Sequence, residues 1–363
     1  MSDLHDVFTA AHEFEFSGDV ASIAPHGNGH INGTYLIACG DPDAPVRYIL
    51  QHINRNVFRD PAAVMQNVER VTAHLTAQAA QEPDGERRAL KLIAAKDGRN
   101  WHVDAARETW RAYRFIENAR TYETASSVDQ AFQAAYAFGR FQQQLSSLPP
   151  PRLHETIPDF HNTPKRFAGL EQAIAANSAG RAAQATPEIE FARSRKPIAG
   201  VLLDAGLPER ITHNDTKFNN VLLDDGTGKA VCVIDLDTVM PGLALYDFGD
   251  MVRTTTSPAA EDERDLSQVT MQFPFFEALV RGYLASAGAF LTPLEKRYLA
   301  FSGKLITFEI GVRFLADYLA GDIYFKVHRD GHNLDRCRTQ FKLVESIEDQ
   351  EDAMNRLVES IEA

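Results

Sequence analysis

The stretch THNDTKFNNVLL, Thr212 to Leu223, sets one His, one Asp, one Lys and three Asn immediately before an apolar run. A second run, VCVIDLDTV from Val231 to Val239, adds Asp235 and Asp237. Between the runs, LDDGTGKA supplies the Asp and Gly of a tight turn, so the two read as a β-hairpin. Polar turn residues beside strands are ordinary, and a single short motif arises often by chance. The question is whether these polar groups only turn the chain or also do chemistry.

Outward from that hairpin, composition narrows the field. The chain has 363 residues, enough for a large buried core and for two domains or lobes. Apolar residues make up 44% and charged residues 24%, a globular profile, and no apolar run nears the ~20 residues of a bilayer span. The opening MSDLHDVFTAAHEFEF has neither a basic n-region nor an apolar h-region, so a cytoplasmic location is expected. A net charge of −13 argues against general nucleic-acid binding but allows a local basic pocket. Cys39, Cys232 and Cys337 are too few and too scattered for a disulfide framework or a zinc site.

The first third reads as strands with one helix. TYLIA (34–38) and VRYILQHI (46–53) are β-type runs separated by the turn formers CGDPDAP. Asp60-Pro61 predicts a helix start, and Val64, Val68, Val71 and Leu75 give that helix one apolar face. Asp97-Gly98 predicts a hairpin, and RAYRFIE (111–117) a strand or crossing segment. Helical patterns then take over. Ser127 with Gln130, and Thr292 with Glu295, predict capping boxes, and Gly321 predicts a helix stop. The stretch AIAANSAGRAAQATPEIEFARSR reads as weakly amphipathic helix, and the segment from Leu334 onward as an acidic amphipathic helix. The expected fold class is therefore α+β and bilobal. A small β-rich lobe over 1–113 precedes a larger, mainly helical lobe over 114–363, with a ligand cleft between them.

Phosphoryl transfer needs a carboxylate to take the proton of the attacking hydroxyl, oxygen ligands for Mg²⁺, a cation and a loop over the phosphates. His213, Asp215 and Asn220 stand at H-x-D-x-x-x-x-N, the spacing of a protein-kinase catalytic loop, and Asp235 ends the next apolar run. HNDTKFNN and VIDLDTVMPG, followed by YDFGD, resemble the aminoglycoside phosphotransferase and choline kinase superfamily, which shares the protein-kinase-like fold. A closer resemblance, to the N-acetylhexosamine 1-kinases, extends to GNGHINGTYLI, FHNTPKRF and RFLADYLAGDIYFKVHRDGHNLDR. It implies Asp215 as base, with Asn220 and Asp235 on Mg²⁺. Lys217 stands where many protein kinases place a phosphoryl-contacting lysine, and His213 reads as a structural support. Asp237 reads as second metal ligand or loop support, and Asp247 as a brace of the catalytic loop.

The nucleotide side is less regular. Gly27, Asn28, Gly29, His30, Gly33 and Thr34 form a glycine loop entering a strand, spaced G-x-G-x-x-x-G, that can lie over phosphates. At the position of the usual strand lysine, within YILQ, stands Gln51, which donates a hydrogen bond but carries no charge. Arg47, His52 and Arg55 are nearby cations, and Glu69 is the nearest helix acid. Phe115 and Ile116, in a hinge-like segment, are candidates to pack against adenine. For the acceptor, Arg313 and Tyr324 are the candidate contacts.

Together these point to an ATP- and Mg²⁺-dependent kinase that phosphorylates the anomeric hydroxyl of a hexosamine. Two alternatives stand beside it. One is the same fold acting on an aminoglycoside or other small alcohol. The other, motivated by Gln51, is a nucleotide-binding pseudokinase. Neither nucleic acid nor membrane is an expected partner.

Overall fold

The computed structural model describes residues 4–27 and 31–362. Two alternating runs give the first strands, because a period of two places every second side chain on one face. These are β2 (Gly33–Cys39) and β3 (Val46–Ile53), joined by β1 (Val20–Pro25), β4 (Leu92–Ile93), β5 (His102–Val103) and β6 (Thr109–Arg114). They form an antiparallel sheet in the order β1-β2-β3-β6-β4, with β5 also paired to β6. One face buries Tyr35, Ile37, Tyr48, Leu50, Trp110 and Ala112 under helix α1 (Leu4–Ala11), which contributes Val7, Ala10 and Ala11. The other face carries Thr34, Gln51 and Arg111 side by side, since the register pairs Thr34 with Gln51 and Gln51 with Arg111.

Helix α2 (Pro61–Ala79) starts as its sequence predicts. Asp60 accepts from the Ala63 amide at 3.1 Å with Pro61 in the first turn. Its apolar face, with Val64, Val68, Val71 and Leu75, packs into the larger core formed with the helical part. That part contains α3 (Val128–Leu145), α4 (Thr163–Ala176), α5 (Thr186–Ser194), α6 (Val201–Asp204), α7 (Ala244–Thr255) and α8 (Phe273–Ala287). It continues with α9 (Pro293–Arg297), α10 (Leu299–Ala320), α11 (His332–Glu348) and α12 (Glu351–Glu362). Helix α10 is buried almost all round, as its near-continuous apolar sequence requires. Gly249 lets α7 approach it closely, because a Cβ there would stand 2.4 Å from the Ser302 carbonyl oxygen. Gly321 ends α10 at φ 103°, a left-handed value that favours glycine.

Short strands are embedded among the helices: β7 (Ala119–Arg120), β8 (Arg210–Thr212), β9 (Val221–Asp224), β10 (Ala230–Val233) and β11 (Met240–Gly242). The hairpin β9–β10 forms as expected, with β7 on its free side, while β8 pairs separately with β11. This second pairing brings the stretch beginning at Thr212 alongside the stretch after Asp237.

The fold is the α+β class expected, and four local readings change. The Thr292–Glu295 capping box forms in full. Ser127 does cap α3, but the Gln130 side chain accepts from Ser126 instead of Ser127. Asp97-Gly98 makes a tight turn, yet β4 and β5 on either side pair with β6 and not with each other. The long stretch over 173–195 breaks at Asn177, in the left-handed region, into α4 and α5, and the C-terminal segment is two helices, α11 and α12. No helix among the described residues is long and apolar enough to cross a membrane.

Candidate active site

The polar stretch is held by its backbone. Asp247, fully buried on α7, accepts from the amides of His213 (2.9 Å) and Asn214 (2.7 Å) and from the Gln142 side chain. Burial pushes its carboxyl above the ordinary range, and those donors pull it back. Asp250, one turn on, accepts from the Thr216 amide at 2.9 Å and is paired to Arg253. Thr238 Oγ1 donates to the His213 carbonyl, and Asn214 Nδ2 donates to the Thr238 carbonyl at 2.8 Å. His213 packs edge-on against Phe138 and Phe141. Its Nδ1 accepts from the Asp215 amide at 3.3 Å, so the Nε2 proton goes to the Ile234 carbonyl at 2.9 Å. Both His213 and Asp247 thus sit as supports. Asp250, Asn214 and Thr238 are further supports that the spacing argument did not single out. Asn214, at φ 66°, is the backbone kink that presents Asp215.

Asp215, Lys217, Asn220 and Asp235 come together at the two ends of the β9–β10 hairpin. Asp215 Oδ2 takes Lys217 Nζ at 3.1 Å and Asn220 Nδ2 at 3.2 Å. No group among the described residues donates to its Oδ1. Burial alone would raise the Asp215 carboxyl, but Lys217 and His213 outweigh it and hold it below its ordinary value. Lys217 is raised in turn, first by Asp215. Asp235 behaves oppositely: desolvation by the surrounding protein, then the charges of Asp237 and Asp215, push its carboxyl up to about 6, although the residue keeps an exposed surface. Its backbone is also left-handed, at φ 61°. Crowded carboxylates beside an Asn amide are a hard oxygen donor set, and a divalent cation would relieve their repulsion. Among the described residues no three His, Cys, Asp or Glu side chains form a complete metal cage.

On the sheet side, the flanking cations are already committed. Arg47 pairs with Glu117 and lies over the Phe115 ring at 4.4 Å, while His52 and Arg55 both reach Glu108. Glu69 accepts from Asn100 at 2.7 Å. Gln51 donates to Thr34 Oγ1 at 3.2 Å, and its Oε1 accepts from Arg111 Nε and Nη2 at 3.0 and 2.8 Å. Arg111 is 0% exposed, and its Nη1 pairs with Asp237. Asp237 also accepts from Asn32 at 2.6 Å. Of the two hinge candidates, Phe115 is half-buried and meets His26 edge-on, whereas Ile116 is buried in the main core. Gly27, at φ 71°, follows β1, and Gly33 and Thr34 open β2. Asn28, Gly29 and His30 fall outside the described residues.

The acceptor candidates gather on another wall. The Arg313 guanidinium lies 5.0 Å from the Phe160 ring, 5.8 Å from Tyr324 and 5.6 Å from Phe325. It makes no ion pair among the described residues. Arg166 donates to the Phe160 carbonyl and is lowered by burial and by Arg313. His161, next to Phe160, joins this wall to the catalytic loop: Nδ1 faces buried Glu309 at 2.8 Å and Nε2 faces the Asn214 carbonyl at 3.3 Å. Asp317 anchors the following loop by accepting from the amides of Ile323, Tyr324 and Phe325. Arg313 and Tyr324 therefore share one surface, and Phe160, Arg166 and Phe325 join it.

A phosphotransferase enzyme family model, APH, matches residues 22–288, most of the chain, including all of Thr212 to Val239. The chain belongs to that family. It is a phosphotransferase. Solved structures share the fold at low identity. A microcompartment-associated aminopropanol kinase is 16% identical over 97% of this chain and 99% of its own, with a TM-score of 0.60. An aminoglycoside phosphotransferase from Alicyclobacillus acidocaldarius is 13% identical over 97% and 96%, with a TM-score of 0.63. A spectinomycin phosphotransferase, in complex with ADP and spectinomycin, is 12% identical over 96% and 98%, with a TM-score of 0.61.

Proposed function

We propose that the protein is a Mg²⁺- and ATP-dependent kinase that phosphorylates the C1 hydroxyl of an N-acetylhexosamine such as GlcNAc or GalNAc. The observation carrying the acceptor class is the aromatic wall that His161 joins to the catalytic loop. Arg313 and Arg166 sit among Phe160, Tyr324 and Phe325. The nearest buried acid, Glu309, is already taken by His161 and Thr163. A polycationic aminoglycoside or an amino alcohol calls for free acidic groups. A neutral, oxygen-rich ring with an acetamido carbonyl calls for an aromatic wall and a fixed donor.

In this reading, Asp215 Oδ1 accepts the proton of the C1 hydroxyl and aligns its oxygen for attack on the γ-phosphorus. Lys217, half-exposed beside Asp215, meets the charge that grows on the transferred group. Asp235 and Asn220 hold Mg²⁺, which when bound neutralises phosphate charge. Phe115, with Arg47 stacked on it, walls the adenine side. Phe160 and Tyr324 wall the sugar, and Arg313 donates to its oxygens.

The test is ADP release with Mg²⁺-ATP across hexosamines, aminoglycosides and amino alcohols. Turnover with N-acetylhexosamines, and product phosphate at C1, is the expected result. Turnover confined to aminoglycosides or amino alcohols overturns the acceptor assignment, and no turnover with any of them would favour a binding role.

A further inference from the structure

We propose that Arg111 supplies the phosphate-binding cation that Gln51 lacks, and that Asp237 masks it until a magnesium nucleotide enters. The inference rests on the phosphotransferase reading for its nucleotide, but not on the identity of the acceptor.

Strand pairing makes the substitution possible. Gln51 and Arg111 are register partners on β3 and β6, and their side chains share the cleft-facing side of the sheet. An arginine one strand over therefore reaches the ground that a lysine at position 51 would cover. The other cations of that edge are held elsewhere: Arg47 by Glu117, His52 and Arg55 by Glu108. Arg111 instead points its charge at Asp237.

Every guanidinium nitrogen is engaged. Nε and Nη2 rest on Gln51 Oε1, and Nη1 rests on Asp237. Gln51 thus serves as a bracket for the fork of Arg111. Asp237 stands two residues beyond Asp235 and also accepts from Asn32, at the rim of the glycine loop. One carboxylate therefore holds both the sheet cation and Asn32. A fully buried ion pair gains little net stability over an apolar pair, so its retention calls for another role. Exchange of partners is such a role. Asp237 turns toward the cation held beside Asp235, and the freed guanidinium takes the nucleotide phosphates in a bidentate contact. Tyr113, two residues along the same strand face and 5.3 Å from Arg111, is buried with a hydroxyl that has no hydrogen-bond partner. It is a spare donor beside the same charge.

Calorimetric binding of ADP, with and without Mg²⁺, tests the exchange without any acceptor or turnover. In the wild type, ADP binds weakly until Mg²⁺ is added. Asp237→Asn removes the mask and strengthens Mg²⁺-free ADP binding by about tenfold or more, while Arg111→Met weakens Mg²⁺-ADP binding by about tenfold or more. The double variant loses the gain seen in Asp237→Asn. If Arg111→Met fails to fold with Asp237 left unpaired, the double variant, which removes both charges, still provides the comparison with Asp237→Asn. Metal-free ADP affinity unchanged or lowered in Asp237→Asn overturns the proposal. So does a gain that persists in the double variant. Failure of the hexosamine reading would leave these outcomes untouched.

Discussion

Asp215 and Asp235 face one cleft, yet their neighbours pull them in opposite directions. Lys217 and His213 hold Asp215 below its ordinary value, while desolvation, then the charges of Asp237 and Asp215, raise Asp235 to about 6. A carboxyl raised from its unfolded value favours its neutral form in the folded state. Its contribution to stability is then full below about pH 4 and is lost as pH rises through about 6. Asp235→Asn should therefore be more stable than the wild type at pH 7 without metal. The gain is of order 1 kcal/mol, the shift being discounted because the carboxyl faces an open cleft. Thermal melts of both proteins from pH 7.5 to 4 should converge on the acid side; a constant gap would refute the assigned crowding. Asp215→Asn tests the other carboxylate. Turnover should fall by about 10²–10⁴, with Mg²⁺-ADP binding intact. A parallel loss of ADP affinity would place Asp215 in nucleotide binding instead.

At the scale of elements, what could be read in advance depended on distance along the chain. That Asp215, Lys217, Asn220 and Asp235 meet was legible because one hairpin carries all four at its two ends. The absence of a lysine at Gln51 was equally visible. Its neighbour Arg111 was not, because only strand register brings together residues 60 apart. The same holds for His161 and Glu309, separated by 148 residues. Strand β1 shows no clean alternation of buried and open residues, so it gave no period-two signal. Arg313 and Tyr324 were visible as candidates, but the aromatic wall they share comes from the loop that Asp317 folds back. That loop gives its own prediction. Asp317→Ala releases three backbone amides and the Asn333 side chain, leaving Tyr324, 57% exposed, without its anchor. The acceptor KM should rise by about tenfold or more while Mg²⁺-ATP KM stays put. Equal changes in both would show a general loss of structure.

The whole molecule has two cores of unequal size. The larger joins α2, the inner face of β6 and the helical part, and includes Val68, Tyr113 and Phe308. The smaller lies between the outer face of the sheet and α1, where Val7, Ile37, Leu50 and Trp110 meet. Because α2 belongs to the larger core, it holds its place when the small core loosens, and Asn67 reinforces it by bonding to the His154 and Val239 carbonyls. The sheet is thus the unit expected to open first. One of its faces carries Gln51 and Arg111, so such opening would remove the proposed nucleotide site without unfolding the catalytic loop. Ile37→Ala, which cuts only the small core, should cost about 2–5 kcal/mol of local stability. Native-state hydrogen exchange should then speed in β1, β2 and β3 and remain unchanged in α10. Saturating Mg²⁺-ADP should restore much of the lost protection, because it binds only the closed sheet. Equal acceleration in α10 would mean that the two cores unfold together, and the nucleotide site would then be no easier to open than the catalytic loop.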